Sequence, residues 1–215
     1  MNNLNLDNDW KVSDTKVFWD EIAPCDHVVQ IYENNEAFLD LLEDFVLNGI
    51  KADESVIVIA TAEHLKELNK RLKAESLDLE YLNSQNQYIP LDADEALSKF
   101  MINGWPDREL FMAMVTDLLY RAKTNSRKVR AFGEMVAILW AKGYSGATVR
   151  LEYLWNKFAE TEAFTLFCAY PQSGFTQNAI ASVIHICGAH SKMIKENGNS
   201  KTEIFYKNTI TGVVK

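Results

Sequence analysis

The stretch Val129–Pro171, VRAFGEMVAILWAKGYSGATVRLEYLWNKFAETEAFTLFCAYP, constrains the fold more than any other part of this chain. It reads as strand, turn, helix, turn, helix, strand. Val129–Phe132 and Phe164–Tyr170 are apolar runs bounded by polar or turn residues, the pattern of strands buried on two faces. Between them Leu151, Leu154, Trp155 and Phe158 fall at i, i+3, i+4 and i+7, one apolar stripe of a helix. Gly143 suits the end of the preceding helix, whose apolar residues include Met135, Ile138 and Leu139. Strands buried on both faces need helices on both sides of their sheet, so this stretch implies a layered α/β domain.

The rest of the chain repeats the theme. Val28–Tyr32 reads as a strand, followed by an N-cap at Asn34 or Asn35 and a helix carrying Phe38, Leu41, Leu42, Phe45 and Val46 that stops at Gly49. Val56–Ala60, VIVIA, is an uninterrupted β-branched run of the kind found in central parallel strands. Thr61 caps a second helix with Leu65, Leu68 and Leu72 inward. An irregular region, Ser76–Gln87, leads to a strand at Tyr88–Leu91. Asp92 or Asp94 then opens a helix with Leu97, Phe100 and Met101 inward that ends near Gly104. Leu110, Phe111, Met114, Val115, Leu118 and Leu119 form the clearest amphipathic stripe, after a restart at Pro106 and Asp107. Thr176 caps a last helix with Ile180, Val183, Ile184 and Cys187. Glu203–Val214 reads as an edge hairpin turning at Asn208–Gly212, with Asn197–Ser200 as the loop before it. The expected architecture is three layers: a mostly parallel sheet, helices on both faces, and a C-terminal edge hairpin. Residues 1–20 read as a flexible arm that Phe18, Trp19 and Ile22 dock, and 21–215 as one domain.

Charge and cysteine usage exclude several classes. The net charge of −8 argues against a nucleic-acid partner, which needs clustered Lys and Arg. Lys66, Lys70, Arg71 and Lys73 are interleaved with carboxylates, as on a solvated helix face. No apolar run approaches the ~20 residues of a membrane span, and the N-terminus has no signal-peptide pattern, so the expectation is a cytoplasmic protein without a membrane partner. Cys25, Cys168 and Cys187 make no disulfide framework and no CxxC. His27, His64, His185 and His190 include no HExxH. His185 and His190 are five apart and share no helix face, and nothing completes a site around Cys25 and His27, so no metal is expected.

In a fold of this class ligands bind outside the carboxyl ends of the strands. That rule selects Tyr32–Asn35, Thr61–His64, Leu91–Asp94, Phe132–Met135 and Tyr170–Phe175. The first of these is where a phosphate-binding loop would lie, yet Tyr32-Glu33-Asn34-Asn35-Glu36 has no Gly, no Lys and two acids. Glu134 offers a general base, or equally a carboxylate anchoring a helix start or a neighbouring strand. Arg130 and Arg150 are candidate partners for Glu134 or Glu152. Cys168, inside an apolar run, reads as a buried small hydrophobe before it reads as a nucleophile. His27 opens its strand at the amino end, which favours a structural role. Tyr32, Trp140, Trp155, Tyr170 and Phe175 read as core aromatics or as the walls of an apolar pocket at the carboxyl edge.

Taken together, His27…Tyr32, Phe38–Leu39, VIVIAT with His64, LDADEAL followed by FM and GWPD, VRAFGEMVAILWAKG, LEYLWN and FTLFCAYP resemble a known family. It is the MEDS domain, the methanogen/methylotroph DcmR sensory domain, and the resemblance runs from about His27 to Phe175. It implies a RecA/KaiC-like core that has lost its P-loop, in keeping with the glycine-free Tyr32–Glu36 turn. It also implies no cofactor, no catalytic residue, and a sensor of small hydrocarbon-derived compounds. Carried over by position, the family's motif residues are His27, Tyr32, Glu134, Trp155, Asn156, Cys168, Tyr170 and Pro171. The expectation is thus a non-enzymatic sensory module of signal transduction. Its small, largely apolar organic ligand would lie near Tyr32, Glu134, Trp155, Cys168 and Tyr170. Its signal would pass to a separate histidine kinase or response regulator, as in two-component systems, or to a second copy in a homo-oligomer. Two alternatives stand beside it: a degenerate RecA-like nucleotide-binding domain or ATPase with Glu134 as base, and a ligand-free oligomerising scaffold.

Overall fold

Alternating strands and helices wind the chain into an eight-stranded sheet with a two-stranded ribbon beside it. The computed structural model describes residues 10–13, 19, 22–23, 26–174, 186, 188–197 and 201–207. In chain order the first elements are β1 (Trp10–Ser13), β2 (His27–Tyr32), α1 (Asn35–Lys51), β3 (Ser55–Ala60), α2 (Ala62–Ala74), α3 (Leu79–Ser84) and β4 (Tyr88–Asp92). Then come α4 (Ala93–Ser98), β5 (Met101–Ile102), β6 (Trp105–Pro106), α5 (Arg108–Ala122), β7 (Val129–Gly133) and α6 (Met135–Ala141). The last are α7 (Ser145–Ala159), β8 (Thr165–Pro171), β9 (Lys192–Asn197) and β10 (Lys201–Lys207).

The sheet order is β1-β10-β9-β2-β8-β7-β3-β4. From β9 to β4 every neighbouring pair is parallel, giving a six-stranded parallel block. β10 runs antiparallel to β9, and β1 antiparallel to β10. The central strands are apolar throughout because both faces are covered. One face packs Phe38, Leu42 and Phe45 of α1, Leu68 and Leu72 of α2 and Leu82 of α3. The other packs residues of α4 to α7, among them Leu97, Phe111, Leu118, Leu139, Leu151 and Trp155. The expected three-layer α/β architecture is therefore present.

Side-chain caps start five helices. Asn34, Thr61, Asp78, Asp92 and Asp107 each accept a hydrogen bond from the backbone N–H three residues on, a contact worth about 1 kcal/mol per cap.

Several details differ from the sequence reading. Gly49 does not stop α1; it lies inside it, where a Cβ would come within 2.7 Å of Arg130 Cδ and of Val56 Cγ2. The region read as irregular contains α3. The helix expected to reach Gly104 ends at Ser98, and Met101–Pro106 folds into a tight ribbon through left-handed Asn103 and Gly104. Leu110, in the first turn of α5, stays exposed. The hairpin is β9–β10, earlier than expected: Asn197 pairs with Lys201, and β1, from within the supposed arm, pairs outside β10. Trp19 is buried, as docking of that arm requires. The Thr176 helix, Phe18, Cys25, Phe175, His185, Cys187 and Asn208–Gly212 lie outside the described residues.

Candidate functional site

Helix α7 carries LEYLWN, and the i, i+4 spacing turns Glu152 and Asn156 to one face, toward the sheet. On β8, Cys168 and Tyr170 are two apart and share the face that α7 covers. β2 lies alongside in parallel register and contributes His27. His190 comes from the segment entering β9, which is tied to β2 by Ser191 N–H donating to His27 O at 2.7 Å. Six polar side chains from four places thus meet inside an apolar core.

Their contacts are close. His27 Nδ1 lies 3.0 Å from Asn156 Oδ1, and His190 Nδ1 lies 2.6 Å from the carbonyl oxygen of Ile186. Both oxygens accept, so each imidazole carries its proton on Nδ1 and leaves Nε2 unprotonated, facing inward. His27 Nε2 is 3.4 Å from Cys168 Sγ and 3.5 Å from Glu152 Oε2. His190 Nε2 is 3.6 Å from Glu152 Oε1, and the Tyr170 hydroxyl donates to that same oxygen at 2.5 Å. The two imidazole rings are 4.0 Å apart. Glu152 is 2% exposed, and its Oε2 has no hydrogen-bond donor.

Burial dominates the electrostatics. It pushes the Glu152 carboxyl up to about 8, against the pull of the Tyr170 hydrogen bond. It takes the His27 imidazole down to about 4, opposed by Asn156 and by a backbone hydrogen bond to Ala189. The Cys168 thiol rises well above its usual value, first from burial and then from the Glu152 charge. In isolation these three groups therefore prefer their neutral forms near pH 7.

A second polar cluster joins the carboxyl ends of β3 and β7. Glu134 accepts from Thr61 N–H at 2.9 Å through Oε2 and from His64 Nδ1 at 2.8 Å through Oε1. Burial lowers the His64 pKa, but the Glu134 hydrogen bond and charge, with Glu63, outweigh it, and the net shift is upward. Tyr32 stacks on Phe38, with ring centroids 4.8 Å apart, and its phenol is pushed up to about 12 by burial and by Glu134.

The five residues expected to line one pocket are divided by the sheet. Tyr32 belongs to the α1–α2 side, and Trp155, Cys168 and Tyr170 to the α7 side. Glu134 binds Thr61 N–H and His64 Nδ1 at the start of α2, the contacts that its anchoring reading calls for. His27, read as structural, stands at the centre of the α7-side cluster with Asn156 and Cys168, while Pro171 ends β8 opposite Tyr32. Arg130 pairs with Glu54 and with Phe45 O, and Arg150 lies over the Tyr153 ring, so neither goes to Glu134 or Glu152. Sequence reasoning missed Glu152 and His190 as site residues. The spacing of Glu152 and Asn156 was a usable signal; for His190 there was none.

The turn after β2 matches its expected lack of a phosphate cradle. Asn34 Oδ1 accepts from Ala37 N–H at 2.9 Å, so the start of α1 is occupied by the chain's own cap. Glu36 beside it pairs with Arg71 at 2.6 Å. Fold and site together define a KaiC-like α/β domain without a phosphate-binding loop. The chain belongs to the family MEDS, the methanogen/methylotroph DcmR sensory domain, which matches residues 26–186. Two of the solved structures that share its fold illustrate the likeness. One is the KaiC-like protein PH0186 from the hyperthermophilic archaeon Pyrococcus horikoshii OT3, at TM-score 0.57 and 10% identity, covering 88% of this chain and 82% of that one. The other is the uncharacterized protein PH0321 from Pyrococcus horikoshii in complex with an unknown peptide, at TM-score 0.62 and 10% identity, covering 89% and 91%. No curated protein matches the sequence. Among the described residues, no helix is long and apolar enough to cross a membrane.

Proposed function

We propose that this sensory domain is a non-enzymatic, cytosolic module that recognises a small, largely apolar organic ligand and signals to a separate protein. A histidine kinase, a response regulator or a second copy would read the signal. One observation carries the reading: the α1 N-terminus, where a nucleotide machine seats phosphate, is closed by Asn34 and flanked by Glu33 and Glu36. Recognition is thereby separated from phosphate chemistry.

The α7 side is the better place for such a ligand. Trp155 Nε1 is buried there without an acceptor. Beside it is a void of about 10 Å³ walled by Ile57, Ile59, Val115, Leu118 and Phe158. That volume holds no organic molecule, so entry requires α5 and α7 to part. A ligand that binds only the parted state shifts the balance between two conformations, which is all a sensor needs.

A thermal-shift series with the full chain, small organics against Mg-nucleotides, tests this. Stabilisation by a subset of organics and none by nucleotides is the expected result. Stabilisation by Mg-nucleotide alone, with phosphate release that disappears in Glu134→Gln, would transfer the reading to a degenerate ATPase. No response to either class would leave an oligomerising scaffold.

A further inference from the structure

We propose that His27 Nε2, His190 Nε2, Cys168 Sγ and the Glu152 carboxylate hold a divalent transition-metal ion of the zinc type. Their ligand atoms all lie within 4.8 Å of one another, and all four residues are buried. Two imidazoles, a thiolate and a carboxylate are the donors that zinc takes in tetrahedral sites.

The spacing fits that geometry. Metal–ligand bonds of about 2.0–2.3 Å put the corners of a tetrahedron about 3.3–3.8 Å apart. Two edges between the ligating atoms are 3.4 Å for His27 Nε2–Cys168 Sγ and 3.5 Å for His27 Nε2–Glu152 Oε2. The 3.5 Å His27–Glu152 separation is too long for a strong hydrogen bond, and both edges suit ligands sharing an ion.

Tautomers and supports fit as well. Asn156 Oδ1 and the Ile186 carbonyl fix the Nδ1 protons of His27 and His190, so both rings turn Nε2 toward the Glu152 carboxylate, whose Oε2 has no donor. Tyr170 steadies the remaining carboxylate oxygen from behind. Three of the four ligands therefore have a supporting hydrogen bond, the usual surroundings of a bound metal. Thiolate and carboxylate also neutralise a 2+ ion, so the occupied site is a net-neutral unit suited to an apolar core.

The assignment does not depend on the sensory reading. Failure of every organic ligand leaves it standing, and absence of metal leaves the sensory reading standing. The test uses the full chain, stripped with chelator and titrated with Zn²⁺ or Co²⁺. One ion per chain is expected, a rise in melting temperature with Zn²⁺, and in the Co²⁺ form a thiolate-to-metal charge-transfer band with tetrahedral ligand-field intensity. Cys168→Ser removes the charge-transfer band, and Asn156→Leu, which only orients His27, weakens binding about 10–100-fold. Circular dichroism verifies that each variant is folded. Folded wild-type protein that takes up less than about a tenth of an equivalent would overturn the site, since a buried set of this kind binds stoichiometrically. A charge-transfer band that survives Cys168→Ser would overturn it too.

Discussion

Glu134 shows how much a single side chain can fasten. Its carboxylate ties the end of β7 to Thr61 and His64 at the start of α2. The His64 pKa is raised above its ordinary 6.5, so the folded state holds that proton more tightly than the unfolded chain does. Stabilisation from this pair is full below pH 6.5 and is lost as pH rises through the folded value. Glu134→Gln should therefore cost about 1–3 kcal/mol at pH 6 and less at pH 9, measured by urea unfolding at both. An equal loss at the two pH values would contradict the pairing. Gly49 gives a second prediction. A methyl there strikes Arg130, whose guanidinium holds Glu54 and the Phe45 carbonyl, so Gly49→Ala should destabilise by about 1–3 kcal/mol despite Ala's better helix propensity. A more stable Gly49→Ala protein would show that Arg130 moves aside freely. At this scale the sequence was only partly readable. Cys168, Asn156 and His27 stand out through their motifs, and the i, i+4 spacing of Glu152 with Asn156 is the one local sign that this helix glutamate faces the core rather than water. His190 is brought in by sheet pairing, which no local pattern encodes.

Among the elements, long stripes were legible and short turns were not. The i, i+3, i+4, i+7 pattern of α7 and the β-branched run of β3 each leave one way to bury their apolar surface, and both formed as read. The first half of the Met101–Pro106 ribbon, up to Gly104, reads as helix because Phe100 and Met101 continue the apolar period of α4. The decisive signal was Asn103-Gly104: both residues adopt positive φ, 51° and 78°, as a two-residue hairpin turn demands. Gly104→Ala should cost about 1 kcal/mol through strain alone, because a Cβ at that position meets no atom within 4 Å. A neutral result in thermal unfolding would mean that the turn relaxes to another type. The terminal hairpin was misplaced for a related reason. Alternation sets the strands but not which polar segment turns, and the pairing of β9 with β2 fixed the choice.

The whole molecule is a parallel α/β frame whose turn after β2 has neither the glycine nor the lysine of a phosphate-binding loop, and whose buried polar cluster stands elsewhere. That frame was readable because parallel strands covered on both faces must be continuously apolar, a constraint few other folds impose. What replaced the phosphate seat was readable only as an absence of glycine and lysine; the Asn34 cap that fills it needed coordinates. The most direct measurement is a calorimetric titration of Mg-ATP into the full chain. A closed α1 N-terminus predicts no saturable heat at millimolar nucleotide, since a Kd above about 1 mM corresponds to less than about 4 kcal/mol of binding. Saturable one-to-one binding at a Kd near 10 µM or tighter, roughly 7 kcal/mol, would contradict the account.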